Sequence, residues 1–336
     1  MNLSDFDYCL PKEQIAQYPL KRRESSRLCV IDRALKEFRH MLFCDIVEYF
    51  HDGDLLVLND TKVFPARIHG LKPSGGKTEI LLLRELEADR WEAIVKGMNK
   101  GEVILEGGIT AKVYPSNGRL MVKFDGEDIE NSLKKIACMA LPPYIKREAE
   151  LSDMDRYQTV YADKEGSVAA PTAGLHFTDT IINALENKGV EVRRLTLHIG
   201  CGTFKPVRTD DIGDHLMDEE FYDVPEETAD AVNRAKSDGR RVVAVGTTVT
   251  RTLEASFSGL SGNRIKSGPG NTSIFIYPGY EFRIVDALVT NFHQPKSTPM
   301  MLTSAFSGHE LLKTAYSETM NEGYRYFSYG DSMLII

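Results

Sequence analysis

Apolar and polar positions follow two different rhythms along this chain. Asp54-Leu55-Leu56-Val57-Leu58 contains a continuous apolar run of the kind that forms a strand buried on both faces. Short β-rich runs follow at Lys62 to Ile68, Thr78 to Leu83, Trp91 to Val95, Glu102 to Leu105, Ile109 to Tyr114 and Leu120 to Phe124. Ser74-Gly75-Gly76, Gly107-Gly108 and Ser116-Asn117-Gly118 punctuate them as turns. Closely spaced short strands with glycine turns predict a small all-β barrel or sandwich, placed at residues 66–144 and closed by Leu141-Pro142-Pro143-Tyr144.

Beyond that unit the rhythm becomes strand–helix alternation. Thr178 is placed to cap a helix carrying Ile181, Ile182 and Leu185, with Gly189 as its stop. Val190 to Ile199 reads as a strand. Pro225-Glu226-Glu227 opens a helix that ends at Gly239. Arg241 to Val245 and Arg283 to Val289 read as strands, the first running into a helix through Leu253. Ser297 or Thr298 caps a helix begun by Pro299, Leu311 to Met320 is helical, and Tyr324 to Ile336 returns as a strand. The expected fold is α/β: a discontinuous catalytic domain, residues 1–65 and 145–336, with a largely parallel sheet, and an inserted barrel domain, residues 66–144.

Open α/β sheets form their sites at the carboxyl ends of strands. His198, Gly246-Thr247-Thr248 and His293 fall at such places, and His176 stands at the start of a helix in Val168 to Thr178. Three histidines beside Gly, Thr or Pro suggest one polar site, and imidazole titrates near neutrality. Val243 to Arg251 reads as strand, tight turn and helix, whose free N–H groups and threonine hydroxyls suit a carboxylate, phosphate or hydroxyl. Arg251 and Glu254, one turn apart, can pair with each other or bind ligand. No His-x-x-x-His or Glu-x-x-His pair favours a metal, so none is expected. Gly200-Cys201-Gly202 matches neither a dinucleotide fingerprint nor a nucleophile elbow, and no Walker-type motif occurs.

Composition changes this picture little. The 336 residues are 42% hydrophobic and 27% charged, and no apolar run approaches the roughly 18 residues of a membrane helix. An acidic N-terminus without a signal-peptide core points to the cytoplasm. The five cysteines, Cys9, Cys29, Cys44, Cys138 and Cys201, are scattered, and buried free thiols are expected. A net charge of −8 means that any polyanion must meet a local basic patch, for which Lys21 to Arg27, Lys205, Arg208 and Lys296 are candidates.

At the level of motifs the chain closely resembles the S-adenosylmethionine:tRNA ribosyltransferase-isomerase family of queuosine biosynthesis. The resemblance rests on Phe6-Asp7-Tyr8, Ser26-Arg27-Leu28, Gly53 to Val63, Leu141 to Ile145, Tyr157 to Ala162, Ala169 to Phe177, His198 to Phe204, Ala244 to Thr248, Thr290 to His293 and Phe327 to Asp331. It implies a β-barrel inserted in an α/β domain. It also implies transfer and isomerisation of the ribosyl part of S-adenosylmethionine onto 7-aminomethyl-7-deazaguanine at the wobble position of a tRNA with a GUN-type anticodon. The product is epoxyqueuosine; adenine and methionine leave, and S-adenosylmethionine is a consumed substrate rather than a cofactor.

Such chemistry needs a base for the proton beside the sulfonium, a donor of hydrogen bonds to adenine, and a neutral amine nucleophile. His176 and His293 are the candidates for proton transfer, with Asp331 orienting them or balancing charge. Thr172, His198, Gly246, Thr247, Thr248 and Arg251 are the candidates for holding substrate, and Arg22, Arg23, Arg27 and Lys296 for meeting tRNA. A monomer without membrane contact is expected. The chain departs from the family pattern at Asp218, Gln294, Pro299 and Ser332. The rival expectations are a non-catalytic tRNA-binding module and an α/β sugar-nucleotide hydrolase or isomerase.

Overall fold

A computed structural model describes residues 1–200, 207, 209–258 and 264–336. Cys201, Lys205 and Arg208 lie outside the described residues. The body is built on a nine-stranded mixed sheet. Leu55–Asn59 occupies its middle, wholly buried, and pairs in parallel with Glu191–Leu197 on one side and Val242–Val245 on the other. Val242–Val245 pairs in parallel with Ala287–Asn291, which then meets Ser332–Ile335 antiparallel. Arg27–Asp32 runs parallel to Ser332–Ile335, and Glu37–Leu42 closes that edge antiparallel. Antiparallel Glu220–Val224 and Gly268–Thr272 finish the other edge. Apolar clusters cover both faces: Leu55, Val57, Ala244 and Leu288 point to one, Leu56, Leu58, Val243 and Val289 to the other. Burial on both faces is why these strands read as continuous apolar runs.

The helical punctuation holds. Thr178 Oγ1 accepts from Ile181 N at the start of Asp179–Asn187, and Ser297 Oγ accepts from Met300 N at the start of Thr298–Ser307, with Pro299 in its first turn. Three expected strands are displaced or shortened. Tyr324 to Ile336 contributes only Ser332–Ile335 to the sheet, because Asp331 takes the N–H groups of Arg27 and Arg325 and folds 325–331 into a tight loop. Arg283 to Val289 shifts to Ala287–Asn291, because buried Glu254 accepts from the N–H groups of Arg283, Ile284 and Val285 and withdraws them from any ladder. Lys62 to Ile68 divides into Thr61–Val63 and Arg67–Leu71. Of the cysteines, Cys29 is buried as expected, whereas Cys9 and Cys44 are exposed.

Six antiparallel strands between Arg67 and Asp125 close into a barrel. In Lys77–Glu87 alternate residues Thr78, Ile80 and Leu82 face inward, the period that a strand imposes. Gly70 lets two strands approach: a Cβ there would lie 2.4 Å from Val103 Cγ1. The chain enters and leaves the barrel through one clasp, in which Arg67 N donates to Cys138 O and Cys138 N to Arg67 O. Among the described residues, no helix is long and apolar enough to cross a membrane.

Candidate functional site

The main cleft opens at the carboxyl ends of Val242–Val245 and Ala287–Asn291, where an α/β sheet leaves room between successive connections. Including its open mouth it holds about 690 Å³, within the range of small-molecule sites. Its walls come from three regions: Ala169–Ala173, Gly246–Thr248 and Thr290–Pro299, with Tyr144, Phe327 and Ser328 opposite. No residue of the barrel strands lines it.

Gly246 makes the first wall possible. Its φ of 91° is reserved in practice for glycine, and it turns the chain from strand into the helix Thr247–Ser256. The first-turn N–H groups therefore face the cleft with the helix's positive pole. Thr248 Oγ1 accepts from Asn59 Nδ2 at 3.3 Å, which leaves its hydrogen available to donate. Thr172 stands across from this turn on the 3-10 segment Thr172–His176.

His293 enters from the second wall. Its Nε2 lies 2.8 Å from Thr290 Oγ1, and its backbone is held by the hydroxyls of Tyr316 and Tyr8. Nδ1 has no protein partner among the described residues. Burial lowers the imidazole pKa from 6.5 to about 3, so the ring is neutral at pH 7. Phe327 borders the same space with a φ of 72°, a costly conformation for a bulky residue. Asn291 Nδ2 and Gly330 N donate to its carbonyl, and the Tyr144 ring packs 4.8 Å from its own. These aromatic faces suit a cation such as a sulfonium.

His176 lies behind the wall, 4% exposed and with both nitrogens engaged. Asn291 Nδ2, which also faces the carbonyls of Phe327 and Asp331, donates to Nε2 at 3.0 Å. The proton is then on Nδ1, which donates to Ser26 Oγ at 2.7 Å, and Ser26 in turn donates to Arg23 O at 3.3 Å. Burial, then the charges of Arg23 and Arg325, lower the His176 pKa to about 3. The ring is thus a neutral relay that fixes the Asn291 amide.

The remaining candidates separate. His198 bonds Thr61 Oγ1 and stacks on Phe221, and it is not part of the cleft lining. Asp331, 1% exposed, spends both carboxylate oxygens on backbone N–H groups. Arg251 does not pair with Glu254: its guanidinium forms a buried ion pair with Glu220 and donates to Ile274 O, while Glu254 holds the 283–285 backbone. On the surface Arg22 pairs with Glu24 and Lys296 with Asp7. Arg27 lies over the Tyr324 ring and beside Glu322. Arg23 donates to the carbonyls of Leu175 and Asp155. Asn291, Tyr144 and Phe327 were not singled out from sequence. Asn291 ends a strand as Gly246 nearly does, so the strand-end rule points to it; Tyr144 and Phe327 lie within the motifs Leu141 to Ile145 and Phe327 to Asp331, but no chemical signal in those motifs marks them as site residues.

Comparison with known proteins adds a family to this geometry. A family model described as queuosine biosynthesis protein matches residues 3–335. The chain is 48% identical to the S-adenosylmethionine:tRNA ribosyltransferase-isomerase of Geotalea uraniireducens and 49% identical to that of Syntrophotalea carbinolica, in each case over 100% of both chains. A crystal structure of the S-adenosylmethionine tRNA ribosyltransferase from Thermotoga maritima is similar at 35% identity, with a TM-score of 0.57, over 99% of this chain and 100% of that one.

Proposed function

The chain belongs to the queuosine biosynthesis protein family, and we propose accordingly that it is an S-adenosylmethionine:tRNA ribosyltransferase-isomerase. It moves the ribosyl part of S-adenosylmethionine onto the aminomethyl group of 7-aminomethyl-7-deazaguanine in tRNA and releases adenine and methionine. S-adenosylmethionine is consumed as a substrate, with no resident cofactor. The observation that carries the reading is the strand-end cleft, in which a glycine-turned helix start faces a neutral histidine and two aromatic rings.

In this cleft the N–H groups and hydroxyls of Thr247 and Thr248 hold the polar parts of the donor. Tyr144 and Phe327 face its sulfonium. His293 is the group that moves a proton at the carbon beside the sulfonium, since its Nδ1 is unengaged and its ring neutral. His176 acts at one remove, by orienting Asn291.

Chromatography of a reaction with tRNA carrying the aminomethyl base, against an unmodified control, tests the proposal. Adenine and methionine are expected with the modified tRNA alone. Bound tRNA without any adenine release would overturn it.

A further inference from the structure

A second, smaller cavity lies behind the main cleft, and the two share Ser328. Arg23, Arg156, Ser26 and His176 line it together with Leu20 and Tyr329. Its arginines are held by the main chain. Arg156 donates to the carbonyls of Lys21 and Leu20, each at 2.8 Å, and Arg23 to those of Leu175 and Asp155. Arg325, just outside, donates to the carbonyl of Tyr18. None of the three has a carboxylate within ion-pair distance among the described residues, although most other arginines do. Asp155, Glu24 and Asp331 are the acids whose fields reach them.

Arg23 and Arg156, half-buried and bonded to carbonyls rather than carboxylates, repel one another. Burial, and then the neighbouring Arg156, push Arg23 below its ordinary pKa. Carbonyl bonds leave each guanidinium of the lining with N–H groups still to give, in the fork that suits phosphate oxygens. Exposed Lys21 lies beside Arg156, to which its carbonyl is bonded, while Arg22 nearby is paired with Glu24 and Arg147, which stacks on Tyr18, with Asp153. On a chain of net charge −8, neighbouring guanidiniums held by carbonyls rather than paired to carboxylates mark where a polyanion docks.

We propose that the Arg23–Arg156 pocket binds a backbone phosphate of the RNA substrate and so anchors it beside the cleft. The proposal rests on the reading above for the identity of the RNA. It replaces the wider basic face expected from sequence, since Lys296 and Arg27 are satisfied by Asp7 and Glu322.

The test measures affinity for an unmodified tRNA transcript as a function of salt, for the wild type, Arg156→Gln, Arg156→Lys and Lys21→Glu. Losing one phosphate contact lowers the slope of log affinity against log salt by about 1. Arg156→Gln is expected to show that loss and about 10-fold weaker binding, with the KM for RNA in adenine release rising in step. Arg156→Lys is expected to restore the slope in part. Lys21→Glu, exposed at the rim, weakens binding independently of any folding defect in Arg156→Gln. Wild-type affinity and slope in both Arg156→Gln and Lys21→Glu would overturn the pocket. So would a raised KM for S-adenosylmethionine with RNA binding unmoved, which would assign the oxyanion to the donor's carboxylate. Absence of adenine release by the wild type would sink the enzymatic reading instead, while the binding comparison still judges the pocket.

Discussion

His176 and His293 look alike in sequence, yet they differ in what their nitrogens have left to do. His293→Ala is expected to cut adenine release about 100-fold while the unfolding midpoint stays near that of the wild type. His176→Gln removes a relay and leaves buried polar groups short of partners, at a cost of about 1–3 kcal/mol. The pH dependence of stability gives a second test of His176. A folded pKa near 3 against 6.5 unfolded means that the unfolded chain takes up protons first as pH falls. The contribution of neutral His176 is therefore complete above pH 6.5 and is lost on the way down to about 3. Urea midpoints between pH 7 and pH 4 should fall more steeply in the wild type than in His176→Gln; parallel slopes would show that His176 has no share in that loss.

At the scale of elements, the helix Thr247–Ser256 shows what holds a site wall in place. Glycine at 246 sets its start, Thr250 and Thr252 return their hydroxyls to carbonyls one turn back, and Arg251 pins it to Glu220 on a neighbouring strand. Arg251 is only 7% exposed, so its partner is left as a buried charge when it is removed. Arg251→Met should cost about 3 kcal/mol, read from urea unfolding; a change below about 0.5 kcal/mol would mean that the pair is relaxed by its surroundings. Much of this level was legible in advance. Buried strands such as Leu55–Asn59 declare themselves by apolar runs, and caps such as Thr178 and Ser297 by residue type. The displaced strand near Arg283 was not legible, because its backbone is claimed by Glu254, about thirty residues earlier. The partners of Asp331 and Arg251 were hidden for the same reason: they are distant in sequence, and a buried structural charge has the same letters as a functional one.

The whole molecule divides its tasks between sheet and barrel. Every described residue of the main cleft belongs to the sheet body or to Tyr144, just past the barrel's exit clasp. The barrel has its own apolar cluster around Ile68, Ile80, Val103 and Phe124. Gly70→Val drives a side chain into Val103 and should therefore loosen the barrel alone. Hydrogen exchange is expected to quicken in Lys77–Glu87 and Gly101–Ile104 while Leu55–Asn59 keeps its protection. Uniform quickening across both would mean that the two regions open as one unit.

The relay Asn291–His176–Ser26 spans three distant parts of the chain: Asn291 gives a hydrogen to His176, His176 gives one to Ser26, and Ser26 gives one to the carbonyl of Arg23. Inheritance must treat these side chains as a single character. An isolated replacement at 26, 176 or 291 strands a donor or an acceptor, whereas a concerted one can pass the hydrogens along intact. Descendants of this chain should thus vary at these positions together or not at all, although no two of them are near neighbours in the gene.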